Sequence, residues 1–109
     1  MKVKDFIEKE GLRRLVQSQP DGFYPLPQVK EGVHSLQFFL KEEEGKVKEC
    51  RFKGSKRCKK LLALSELACR LLESKGEVRK EELLSFFKEE KDKKKMEERV
   101  ELVLKALKK

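Results

Sequence analysis

The sequence predicts an α+β domain in which a small antiparallel β-sheet packs on helices. Two patterns carry that expectation. Apolar residues alternate over residues 33–40 and return in a short run over 47–52, as paired strands with one buried face require. From Cys58 onward they recur instead at steps of three and four, the spacing of one helix face. At 109 residues there is room for one hydrophobic core, so a single domain over 1–109 is expected.

Taken in order, Phe6, Ile7, Leu12, Leu15 and Val16 fall near helical spacing. They predict an N-terminal helix over 3–18, bent or shortened at Gly11 and ended by Pro20-Asp21-Gly22. Pro25 and Pro27 block helix over 23–27 and predict an extended connection lying across the core. A β-hairpin over 33–52 follows. His34, Leu36, Phe38 and Leu40 share a face of its first strand, 41–45 makes an acidic turn, and Cys50 and Phe52 share a face of its second. The core helix is expected over 58–74, with Cys58, Leu61, Leu62, Ser65, Ala68, Cys69 and Leu72 along its stripe and Gly76 at its stop. C-terminal helices over 80–108 complete the chain. A short one turns Leu83, Leu84 and Phe87 inward, and after a charged stretch a second carries Met96, Val100, Val103, Leu104 and Leu107.

Composition narrows the function classes. Charged residues make up 44% of the chain with both signs interspersed, and 38% is hydrophobic, enough for a modest core and too much for disorder. No stretch approaches the roughly 20 apolar residues of a membrane span, and the first residues lack the apolar run of an export signal. Three cysteines, an odd number, are expected as reduced thiols, which points to a cytoplasmic location. Absence of Asn and Trp beside abundant Lys and Glu points to a hot-growing source. The formal net charge is +8, and residues 46–60 hold Lys46, Lys48, Arg51, Lys53, Lys56, Arg57, Lys59 and Lys60 against Glu49 alone. Such a field suits an acidic protein, a phosphate or a nucleic acid, and it equally describes a solvated lysine-rich surface. Phe52 is the one aromatic in that segment, so only weak, salt-sensitive nucleic-acid binding is expected.

Cys58 is the one residue with a case for chemistry. It opens a helix between Lys56, Arg57, Lys59 and Lys60, an electropositive setting of the kind reactive cysteines occupy, where it could accept sulfur or bind a soft metal. It also begins an apolar stripe, where a buried thiol is ordinary. Cys50 and Cys69 read as packing residues. Cys58 and Cys69 stand eleven residues apart on one helix, about 16 Å of rise, too far for one metal. Cys50 and Cys58, on different elements, could approach each other. His34 reads as a structural imidazole, or with Glu31 as a weak complement to Cys58 if the start of the strand meets the head of the helix. The chain holds no Walker loop, GxGxxG, HExxH or CxxC pattern, which favours a non-enzyme.

Residues 45–54, Gly-Lys-Val-Lys-Glu-Cys-Arg-Phe-Lys-Gly, followed by Cys58, Ala63, Ser65 and Leu67, resemble the NifU N-terminal, IscU-like iron-sulfur cluster assembly scaffolds. In that family a strand of the form G-V-I-x-D-A-x-F-x-G leads into a cysteine-initiated helix. The likeness runs from residue 33 onward, about two-thirds of the chain. It implies a SufE/NifU-like fold, a place in cluster assembly or sulfur transfer, and a partner such as a cysteine desulfurase. Cys58 matches the helix-initiating cysteine. The family's Cys-Gly-Asp loop falls on Glu31-Gly32-Val33, its last cysteine on residues 90–97, which hold neither Cys nor His, and the reactive cysteine of SufE-like acceptors on Val33. The chain thus looks like a degenerate member: a binding or adaptor protein whose monomer is not expected to hold a stable cluster, since such clusters take four protein ligands. The alternative is a small basic nucleic-acid or anion-binding domain whose surface is Lys53, Lys56, Arg57, Lys59 and Lys60.

Overall fold

The alternation at Leu36, Phe38 and Leu40 and at Cys50 and Phe52 is realised as two long antiparallel strands, and helices close over the face those residues share. The structure, a computed structural model, describes residues 1–108. Its elements are α1 (Val3–Glu10), β1 (Tyr24–Pro25), β2 (Val29–Glu31), β3 (His34–Glu43), β4 (Lys46–Gly54), α2 (Lys59–Lys75), α3 (Lys80–Phe86) and α4 (Lys93–Ala106). β3 is the spine of an antiparallel sheet. β4 pairs along one of its edges, from Leu36↔Gly54 to Glu43↔Lys46, while β1 and β2 follow one another along the opposite edge. The chain therefore has the α+β class its sequence predicts.

Three boundaries differ from the sequence reading, each for a reason in hydrogen bonding. The N-terminal helix stops at Glu10, where Gly11 turns at φ 75°, instead of continuing to residue 18. Residues 14–16 lie extended beside β4: Val16 N–H donates to the Phe52 carbonyl at 2.8 Å, and Phe52 N–H to the Arg14 carbonyl at 2.9 Å. A helix there would leave that edge of β4 bare. Residues 23–27 do more than cross the core. Tyr24 and Pro25 pair with Leu40 and Phe39, and Leu26 N–H donates to the Phe38 carbonyl at 2.9 Å. Proline suits this place because a sheet edge tolerates a missing donor. The hairpin turn shrinks from 41–45 to Glu44-Gly45, since Lys41, Glu42 and Glu43 continue β3, with Lys48 Nζ 2.8 Å from Glu43 across the pair. Both turn residues have positive φ, 55° and 80°, the combination whose twist matches a two-residue hairpin.

Behind the sheet, α2 packs on β4, and α4 packs on β2, β3 and α2. Leu61, Leu64, Ala68 and Cys69 of α2 are fully buried with Val100 and Val103 of α4. Phe6 of α1 seals one end of the core edge-on against Phe86 and Phe87, with ring centroids 5.5 and 5.4 Å away. Among the described residues no helix is long and apolar enough to cross a membrane.

Candidate functional site

The head of α2 is placed by the end of β4. Ser55 N–H donates to the Ser35 carbonyl at 3.1 Å, and Ser35 N–H to Ser55 Oγ at 2.8 Å, which binds the chain leaving β4 to the start of β3. Arg57, Cys58, Lys59 and Lys60 follow at once, so they meet His34 across a common cleft. α4 supplies the next wall. Asp92 caps it, accepting from Lys95 N–H at 3.1 Å, and Lys95 and Arg99, four residues apart, face the same cleft. Glu90, in the loop before α4, ties in the remaining elements: it accepts from Val3 N–H at the start of α1 at 2.7 Å and from Lys60 Nζ at 3.1 Å.

The resulting cleft has a volume of about 630 Å³, and among the described residues Lys4, Arg57, Lys59, Lys60, Lys95 and Arg99 surround it against one carboxylate, Glu90. That carboxylate is already engaged. Burial pushes its pKa up, but the Val3 N–H and Lys60 outweigh burial and hold it below the usual carboxylate range. Arg99 is the most enclosed of the arginines here, its side chain 12% exposed, with Nε donating to Cys58 Sγ at 3.4 Å and one guanidinium nitrogen 3.8 Å from the exposed Glu98. A guanidinium carries five donors, so these contacts leave it capacity for a ligand. Cys58 is the N-cap of α2 and places no side-chain cap on it, and the first turn of α2 holds no acidic residue. Amide groups at a helix start are partnerless within the helix and favour negative charge.

His34 completes the lining. Burial lowers its pKa first of all, Arg99 and Lys95 lower it further, and Glu31 opposes them. Its Nδ1 is closed off from solvent without a hydrogen-bond partner among the described residues. Protonation would strand a charged N–H there, so the neutral ring is favoured.

Of the residues singled out in the sequence, His34, Arg57, Cys58, Lys59 and Lys60 come together, while Glu31, Lys53 and Lys56 lie outside the cleft lining. Glu31 stands opposite His34 in the β2–β3 register, and Lys53 and Lys56 are exposed. Among the described residues no group of three or more His, Cys, Asp or Glu is placed to hold a metal ion. Lys4, Glu90, Lys95 and Arg99 were not foreseen. Arg99 left one trace: it falls three residues after Met96 and four before Val103, on the stripe of α4 that turns inward.

A second charged cluster was also missed, and it serves the fold. Glu66 of α2 is 1% exposed and is satisfied by Arg14, whose N–H and Nη1 donate to its two oxygens at 2.9 and 2.8 Å. Arg14 also reaches Glu73 through Nε and Nη2 at 3.0 and 2.6 Å, and Glu73 accepts Cys50 N–H at 2.9 Å. One arginine thereby joins the extended N-terminal segment to α2, while Glu73 joins α2 to β4.

Compared with known proteins, the chain matches no family model and no curated sequence.

Proposed function

We propose that this domain is a non-catalytic binding module that receives an oxyanion group, a phosphate or sulfate, in the cleft at the head of α2. One observation carries the reading: among the described residues six cations converge there from α1, α2, α4 and the loop before α2, and the single carboxylate among them is spent on Lys60 and a backbone amide. Guanidinium and ammonium groups beside free helix amides form the donor set that oxyanions select. The test is chemical-shift mapping with inorganic phosphate. Saturable shifts at Arg57, Lys59 and Arg99, weakened about tenfold or more by Lys59→Glu, are expected; shifts scattered over all lysines, unaffected by that change, would overturn the reading. Oligonucleotides are expected to bind weakly and to leave as salt rises.

The Cys58 contact with Arg99 favours a second reading, in which the domain is a cysteine-bearing adaptor of iron-sulfur cluster assembly or sulfur transfer. Its support is that contact and the sequence resemblance, and its partner would be a cysteine desulfurase. Mass spectrometry after incubation with such an enzyme and cysteine decides it, through the gain or absence of one sulfur atom on Cys58. In both readings the protein works in the cytoplasm, a placement supported by its three free thiols.

A further inference from the structure

The cleft at the head of α2 is larger and more charged than one phosphate requires. Its volume of about 630 Å³ falls in the range of sites that enclose a whole small molecule, roughly 300–1,000 Å³. Among the described residues, six cations against the one carboxylate of its lining leave five positive charges in excess. A phosphate group supplies about two negative charges at most. The excess is also uncommitted. Among the described residues the cleft cations make two ion pairs with carboxylates, Lys60 with Glu90 at 3.1 Å and Arg99 with Glu98 at 3.8 Å, which leaves Lys4, Arg57, Lys59 and Lys95 without one.

These cations fall on two flanks. Arg99 donates to Cys58 Sγ at 3.4 Å, and Lys60 donates to Glu90 at 3.1 Å. Residues two apart at a helix start do not face one way, so Cys58 and Lys60 anchor different flanks of the head of α2. Lys95, one turn before Arg99 on α4, extends the first flank toward His34. Lys4, next to the Val3 N–H that Glu90 accepts, extends the second. Lys60 spends one of its three ammonium donors on Glu90 and keeps the others. We propose, building on the oxyanion reading above, that the ligand of this cleft is a small molecule carrying two linked phosphates, one on the flank of Arg99 and Lys95 and the other on the flank of Lys4 and Lys60. A lone phosphate satisfies one flank and leaves the second unmatched. Linking two makes the second contact intramolecular, which raises affinity well beyond that of either alone.

Free pyrophosphate and a nucleoside diphosphate both present this group, so calorimetric titration at constant ionic strength is run with each, beside inorganic phosphate and citrate. Pyrophosphate is expected to bind at one per chain and about tenfold or more tighter than phosphate, while citrate, a multiply charged anion without phosphoryl groups, binds no tighter than phosphate. Adenosine diphosphate binding tighter than pyrophosphate would name the nucleotide as the source, and the reverse order would name the free anion; either supports the diphosphate. Lys4→Ala with Lys95→Ala, one substitution on each flank and both at the surface, should bring pyrophosphate down toward phosphate while leaving the circular dichroism spectrum unchanged. Phosphate binding with pyrophosphate no tighter, or citrate equal to pyrophosphate, would overturn this inference and leave the oxyanion reading in place. Binding of neither phosphate nor pyrophosphate would overturn both, and an oligonucleotide that outcompetes pyrophosphate at physiological salt would replace the small molecule with a nucleic-acid backbone.

Discussion

Arg14 shows how one side chain can set the course of a segment. Its bonds to Glu66 and Glu73 form only where residues 14–16 lie extended beside β4, so the charge partners and the backbone pairing select the same conformation. A buried ion pair gains little over an apolar pair of the same volume, but removing one partner leaves a desolvated charge. Arg14→Ala is therefore expected to cost about 3–5 kcal/mol in urea unfolding, and adding Glu66→Leu should recover part of that loss. The same cluster sets an acid limit. For Glu73, burial raises the pKa, but the Arg14 hydrogen bond, the Cys50 N–H and the charges of Arg14 and Arg51 outweigh it, so its folded pKa lies below the ordinary 4.5. A carboxylate depressed in the folded state contributes stability above its unfolded pKa and loses it as pH falls through the folded value. Unfolding free energy should thus drop below about pH 4.5, and the drop should be shallower in Glu73→Gln. Arg14 gave no signal in the sequence, because an arginine near helical spacing looks the same whether its partners are solvent or a buried glutamate fifty residues on.

Among the elements, those with an unbroken period were legible. The stripe of α2 and the alternation of β3 and β4 are dictated by burial of one face, and the structure realises both. The N-terminal helix was overextended because Leu12, Leu15 and Val16 satisfy a helical spacing, while the bare edge of β4 that claims them lies almost forty residues away. β1 was hidden for the opposite reason: two prolines read as a connection until an edge is available to accept them. The hairpin turn is where a local rule is sharpest. At φ 80°, Gly45 takes a conformation that an L side chain adopts only at a cost, although space around it is open. Gly45→Ala should lower stability by about 1–2 kcal/mol, Gly45→Asn by less, and both should leave the melted-state baseline of circular dichroism unchanged.

At the scale of the whole molecule, the charge run at 46–60 is divided by the fold. Lys48 pairs with Glu43 near the hairpin turn, Arg51 joins Glu73, Lys53 and Lys56 face solvent, and Arg57, Lys59 and Lys60 enter the cleft. There they meet Lys4, Lys95 and Arg99 from both ends of the chain, an encounter that composition along the sequence cannot express. The cleft is therefore a product of assembly, and its ligand is recognised by several elements at once. His34, the sole histidine, lies in its wall and reports on its field. The most direct measurement is the titration of His34 by proton NMR in sodium chloride and in sodium sulfate at equal ionic strength, sulfate being a dianion throughout the histidine range. In chloride the midpoint should lie below 6.5, because burial, and then Arg99 and Lys95, oppose protonation. Sulfate seated among those cations should raise it, and Lys59→Glu should abolish the difference. The same midpoint in both salts would contradict the assignment of this cleft as an oxyanion site.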